Sequence, residues 1–142
     1  MSRTPIPSTV RLAVAERAQR ACEYCRLPEG VGFILLEVDH IIAEQHGGKT
    51  EAENLAYACL ICNRHKGPNL SSIDPHTGER AWLYNPRTQH WDEHFQLNRD
   101  GTISGVTAEG RATVFLLEFN AFDRAQDRCE LLALNKLSLK KE

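Results

Sequence analysis

Two Cys-x-x-Cys pairs, Cys22-Glu23-Tyr24-Cys25 and Cys59-Leu60-Ile61-Cys62, constrain this chain more than any other feature. Each pair lets two thiolates from one tight turn reach the same cation, and two such turns complete a tetrahedron. One pair alone also serves redox chemistry, whereas two together point to a metal. The spacing is wider than in a plain zinc ribbon. Here 33 residues separate Cys25 from Cys59, against roughly 15–20 in the common four-cysteine pattern. Something the size of a strand and a long loop has been inserted between the halves. Four sulfurs close the coordination sphere, so such a site is structural, and chemistry has to come from the insert. The insert carries Asp39-His40, a Gly47-Gly48 turn and Asn54, and Asn63 follows the last cysteine directly. An acid and a carboxamide suit a hard cation such as magnesium, while the thiolate frame suits zinc. Two metal sites with different tasks can therefore be argued from one segment.

Length and charge set the class around that frame. A chain of 142 residues suits one domain with a modest core. With 42% hydrophobic and 25% charged residues, it reads as globular rather than disordered. The formal charge of -2 does not advertise nucleic-acid binding, because nonspecific DNA affinity is mostly phosphate neutralisation. No apolar run approaches the roughly 18 residues of a membrane span. The start, Met1-Ser2-Arg3-Thr4-Pro5, lacks the apolar stretch of a signal peptide. The expectation is a soluble, cytoplasmic protein with no membrane contact. In a reducing compartment the cysteine pairs are metal ligands rather than disulfides, and the odd fifth, Cys129, agrees.

Along the chain, Pro7-Ser8-Thr9 opens an amphipathic helix over residues 9–20. Its Arg11, Arg17 and Arg20 read as a solvated face, with DNA-backbone contact as the sharper alternative. Gly32 to His40 reads as a strand, residues 43–53 as a loop, and Asn54 to Ala58 as a second strand ending on the second cysteine pair. A short helix then runs from near Cys62 to Gly67-Pro68. Character changes at Asn69, and residues 69–142 read as an extension packed on the core of a single domain. There, Ser71 to Gly78 is punctuation, and Asn98-Arg99-Asp100-Gly101 turns a hairpin between His94–Leu97 and Thr102–Val106. Thr107 caps a helix blemished by Gly110. A last helix runs from Ala121 to about Leu137, with Leu131, Leu132 and Leu134 inward. Trp82 and Trp91 are expected in the core, and His46, His76, His90 and His94 at the surface or hydrogen-bonded.

The combination Cys-x-x-Cys, Val38-Asp39-His40-Ile41-Ile42, Gly47-Gly48, Asn54-Leu55 and Cys-x-x-Cys-Asn63-x-x-Lys66-Gly67 resembles the HNH endonuclease family, in its four-cysteine zinc-containing variety. The resemblance covers about residues 22–67. It implies a zinc-stabilised ββα-metal core at 22–67, which, with the N-terminal helix and the C-terminal hairpin and helical extension read above, gives the expectation of an α+β protein. It implies a structural zinc on Cys22, Cys25, Cys59 and Cys62, and a catalytic Mg²⁺ or Mn²⁺ with Asp39 as ligand. His40 would be the general base, and Asn54 the member that steadies the loop. The family's third letter is normally His; Asn63 stands there, and His65 lies two positions on. Residues two apart on a helix differ by roughly 200°, so only one of them can look at the strand bearing Asp39, and Asn63 is the better placed. Arg64, His65 and Lys66 are candidate substrate contacts.

Asp39 and His40 are strand neighbours, which point to opposite faces, so both serve one site only where the strand ends and the chain bends. The resemblance implies an endonuclease whose partner is DNA, with any protein partner unspecified. The alternative is a zinc-stabilised nucleic-acid- or protein-binding module that keeps the fold without catalysis.

Overall fold

The computed structural model describes residues 4–31 and 34–140. They divide into two compact units, one ending at Pro68 and one beginning at Asn69, and the structure is a mixture of helices and small antiparallel sheets. Among the described residues, no helix is long and apolar enough to cross a membrane.

In the first unit, α1 (Ser8–Arg17) packs on a hairpin of β1 (Leu36–His40) and β2 (Leu55–Cys59), and α2 (Leu60–Lys66) follows β2 directly. The first helix stops three residues short of the expected end, because Gln19 and Arg20 turn left-handed at φ 56°. The expected first strand begins at Leu36 rather than Gly32, and Gly32 and Phe33 lie outside the described residues. Strand pairing sets Val38 opposite Tyr57, Asp39 opposite Ala56 and His40 opposite Leu55. Val14 and Ala15 of α1 meet Val38, Leu55 and Tyr57 in one buried cluster, with Ile6, Val10, Ala18 and Leu36 around it. The other face of β2 offers only Ala56 and Ala58, side chains small enough for close packing. A two-stranded hairpin is marginal by itself; this one is buried along all of β2.

Arg17 of α1 and Arg20 just beyond it are used inside the unit. Arg17 donates to the carbonyls of Ala52 (3.0 Å) and Leu55 (2.6 Å) at the start of β2. Arg20 bridges Glu16 and Glu29 at 3.0 and 2.9 Å.

The second unit holds two further hairpins, β3 (Ser71–Ile73) with β4 (Arg80–Trp82), and β5 (Phe95–Leu97) with β6 (Ile103–Gly105). Its helices are α3 (Trp91–His94), α4 (Ala108–Leu116) and α5 (Phe122–Ala133). The stretch read as punctuation is a hairpin whose connection is ordered by buried Asp74. That carboxylate accepts from the His76 amide at 2.9 Å and from Arg111 at 2.9 to 3.2 Å. Gly110 is a requirement of packing rather than a blemish. A Cβ there would stand 2.1 Å from the His94 carbonyl oxygen. Trp91 is buried and stacks on Phe95. Trp82, expected in the core, is 65% exposed, and Leu134 is 64% exposed because α5 ends at Ala133.

Candidate functional site

Each cysteine pair forms the same small device. The amide of Cys25 donates to Cys22 Sγ, and the amide of Cys62 to Cys59 Sγ, both at 3.4 Å. In the first knuckle the chain reverses through Arg26 at φ 70°, closed by hydrogen bonds from the Cys22 amide to Leu27 O and from the Arg26 amide to Cys22 O. Glu23 sutures it to β2: its amide donates to Tyr57 O, and its carboxylate accepts from the Tyr57 amide. The second knuckle is the N-terminus of α2, with Cys59 as its cap. The four sulfurs lie within 4.8 Å of one another and all four residues are buried. Burial pushes the Cys22 and Cys62 thiols well up, while the hydrogen bond with Cys22 draws Cys59 down. Four clustered, buried thiols with amides aimed at sulfur fit a soft divalent cation, which supplies the charge that lets them ionise. The cluster is set to hold a metal such as zinc.

The second group of residues lies where β1 ends. Val38 and His40 are buried together, while Asp39 between them is half-buried. The Asp39 carboxylate curls back to accept the His40 amide at 2.9 Å. This brings Asp39 Oδ1 to 3.7 Å from His40 Nδ1 although the two are strand neighbours. The His40 ring has a side-chain exposure of 3%. Its Nε2 lies 2.8 Å from Thr50 Oγ1 and 3.3 Å from Glu44 Oε1. Its Nδ1 is buried, with no hydrogen-bond partner among the described residues.

Asn54 ties down the intervening loop at both ends. Its amide nitrogen donates to Ile42 O and Lys49 O, and its oxygen accepts the Ile42 amide, all at 2.9 Å. The two glycines serve separate needs. Gly47 ends a short 3₁₀ turn at φ 88°, while a Cβ on Gly48 would stand 1.7 Å from Ile42 O.

Helix α2 contributes from the other side. Asn63 Nδ2 donates to Glu37 Oε1 at 2.8 Å. Glu37 lies two residues before Asp39, on the same strand face, so Asn63 is turned toward that strand. Lys66 is buried, not on the solvent face that a phosphate contact uses. Its Nζ donates to Ile41 O at 2.7 Å, and burial lowers its pKa against the opposing pull of Asp39. Arg64 is exposed and His65 half-buried. A cavity of about 250 Å³ is lined by Thr4, Arg11, Glu37 and His40, among others. Three site residues were missed in the sequence: Glu37, Glu44 and Thr50. Strand period two could have flagged Glu37. The partners of His40 depend on the loop's path, which nothing in the residue pattern reveals.

Residues 22–69 match the family model of the HNH endonucleases. No curated protein and no solved structure matches the chain. The matched segment contains all four clustered cysteines together with Asp39, His40, Asn54 and Asn63.

Proposed function

We propose that the protein is a metal-dependent endonuclease of the HNH type that hydrolyses DNA phosphodiester bonds, with β1, β2 and α2 as its ββα-metal core and residues 69–142 as an accessory unit. The observation that carries this reading is the condition of His40. It is a buried imidazole with Nε2 engaged and Nδ1 left without a partner among the described residues, 3.7 Å from the Asp39 carboxylate. An unsatisfied buried polar atom costs roughly 1–3 kcal/mol. Imidazole is also the side chain whose proton affinity suits transfer near neutral pH. As attack on phosphorus proceeds, the water's proton passes to His40 Nδ1. The P–O3′ bond breaks, and the leaving oxygen takes a proton from solvent.

Asp39 and Asn63 would hold the catalytic Mg²⁺ or Mn²⁺ through oxygen, and Cys22, Cys25, Cys59 and Cys62 a structural zinc. When bound, the catalytic cation acts as a Lewis acid toward the phosphate and the leaving oxygen. Glu37 occupies the amide nitrogen of Asn63, which leaves the amide oxygen for ligation. Asn54 holds the loop after His40 and touches no substrate. Lys66 is buried with its Nζ on Ile41 O, so phosphate contact falls to Arg64, to His65, and to Arg11 in the cavity that His40 lines. Four cysteines gathered as metal ligands rather than as disulfides suit a reducing, cytoplasmic setting.

A zinc-stabilised binding module without catalysis is favoured by the formal charge of -2 and by the internal use of Arg17 and Arg20. Plasmid nicking with Mg²⁺, Mn²⁺ and EDTA separates the two readings. The parent should nick with either cation and not with EDTA. His40→Ala should lower the rate by about 10²- to 10⁴-fold, the usual worth of a general base, with zinc content and DNA affinity unchanged. A variant that cleaves like the parent removes His40 from the mechanism. DNA binding without cleavage under any cation leaves the binding module.

A further inference from the structure

We infer that Glu44 and Thr50 form a positioning relay behind His40, fixing its ring in the Nε2–H tautomer so that the lone pair stands on Nδ1. This rests on His40 being the base, as proposed above.

The geometry assigns each proton in turn. Glu44 Oε1 accepts the Thr4 amide at 2.8 Å, and Oε2 accepts the Thr4 hydroxyl at 3.2 Å. The Thr4 amide is also the main reason that the Glu44 carboxyl is held below its ordinary range. An ionised carboxylate has nothing to donate. The Thr50 hydroxyl donates to Glu44 Oε1 at 3.4 Å, which uses its only proton and leaves it an acceptor toward the ring. Both neighbours of His40 Nε2 are therefore acceptors, Thr50 Oγ1 at 2.8 Å and Glu44 Oε1 at 3.3 Å. Only a proton on Nε2 satisfies them. Among the described residues no competing partner reaches the other nitrogen: Nδ1 lies 3.7 Å from Asp39 Oδ1, beyond hydrogen-bond range, and that oxygen already accepts the His40 amide.

The consequence is kinetic as well as structural. With Nε2 held by Thr50 and Glu44, the ring cannot turn, and the Nδ1 lone pair stays aimed where the proton must arrive. Orientation of a ring by the hydrogen bond at its other nitrogen is a general device of imidazole chemistry. Glu44 stands four residues after His40, in the 3₁₀ turn Glu44–His46, and Thr50 lies beyond the two glycines. The tight turn thus returns the chain to the ring that it left.

The test uses the full-length zinc-loaded protein and two readouts. Long-range ¹H–¹⁵N spectra of the His40 ring, taken without substrate or added divalent cation at a pH where the ring is neutral, report the tautomer. Plasmid cleavage reports kcat and KM. The parent should show Nε2–H alone. Glu44→Ala and Thr50→Val should each admit the Nδ1–H form and lower kcat by about 10- to 100-fold, the usual range for groups that orient a functional ligand, with KM unchanged. Glu44→Gln and Thr50→Ser, which keep an acceptor, should retain the Nε2–H form, and Thr50→Ser should recover most of the rate. In a His40→Ala background, Glu44→Ala should cost nothing further. The relay is overturned if the parent ring is Nδ1–H, or if both truncations leave tautomer and kcat as they were. It is also overturned if Glu44→Ala lowers activity only in step with lost folding or zinc while Thr50→Val leaves the tautomer intact. A parent that cleaves no DNA yet shows the tautomer shifts sinks the nuclease reading and leaves the relay standing.

Discussion

The unit ending at Pro68 gathers its most buried groups around sulfur, whereas the unit beginning at Asn69 gathers them around aromatic rings. In the first, Cys22, Cys25, Cys59 and Cys62 are each at most 1% exposed, and the separate apolar cluster holds only Val14, Ala15, Val38, Leu55 and Tyr57 at its centre. In the second, Tyr84, Trp91 and Phe119 each meet the ring of Phe95, with centroids 5.0 to 5.5 Å apart. Its buried charged groups find partners locally: Asp74 in Arg111, and Arg128 in hydrogen bonds to the carbonyls of Gly101 and Phe119. The difference assigns labour. A unit stapled by a cation can leave inside it a polar site whose imidazole has one nitrogen unsatisfied, since its folding does not depend on filling every buried position with hydrocarbon. A unit without such a staple has to pack.

The largest expected effect follows from that division. Structural zinc contributes on the order of 10–16 kcal/mol of apparent binding free energy in small sites. Stripping the metal with a strong chelator, or Cys22→Ser, should therefore unfold the first unit outright. Both tryptophans, Trp82 and Trp91, lie in the second unit, so their near-ultraviolet circular dichroism should change little. Native mass spectrometry should find one zinc per parent chain. A folded first unit without zinc, or a tryptophan signal lost together with the metal, would break the comparison.

What could be read from the residues divides along the same line. The sulfur frame was legible because Cys-x-x-Cys is a local turn whose spacing is itself the chemistry, and α2 because Gly67-Pro68 marks its end. The β5–β6 hairpin was legible from Asn98 to Gly101. By contrast, the β3–β4 hairpin was hidden, since its connection is ordered by the long-range pair of Asp74 and Arg111, 37 residues apart. Gly110 looked like a fault because the reason for it is the His94 backbone. At the site, Asp39, His40, Asn54 and Asn63 were visible as motif letters. Glu44 and Thr50 were not, because a loop residue's partner is decided by the loop's fold. Lys66 looked like a surface cation because its burial, with Nζ on Ile41 O, rests on a partner 25 residues away rather than on its neighbours in sequence.

A smaller effect is expected from the aromatic side. Phe119 is fully buried and stacks on Phe95. Phe119→Ala should cost about 3–5 kcal/mol, the usual loss for a large ring removed from a core. That loss should appear in the tryptophan-monitored urea transition. Zinc content and the hydrogen-exchange protection of β1 and β2 should stay as in the parent. Loss of zinc in this variant would mean that the two cores do not divide the work as their compositions suggest.

The smallest effect is one of pH, and its sign follows from Asp74. Hydrogen bonds from Arg111 hold this carboxyl well below the ordinary carboxylate range. A depressed folded pKa contributes stability above the unfolded value, about 3.9 for Asp, and loses it as pH falls through the folded value. Between pH 7 and about 5 that contribution is complete and flat, and acidification below the unfolded value should erode it. Asp100, lowered by Thr102, pulls in the same direction, and Asp127, raised by burial, in the opposite one. The parent's own curve is therefore a sum, and the difference between parent and Asp74→Asn isolates the Asp74–Arg111 pair. Urea midpoints followed by tryptophan fluorescence should be lower for the variant at pH 7, and the gap should narrow progressively as pH drops below 4. The same narrowing should appear with chelator present, because the pair lies wholly among residues 69–142. A gap that stays constant with pH would show that Asp74 acts through its turn, by the hydrogen bonds from His76 and Thr77, rather than through its charge. A gap that vanishes with zinc removal would show that the second unit leans on the metal after all.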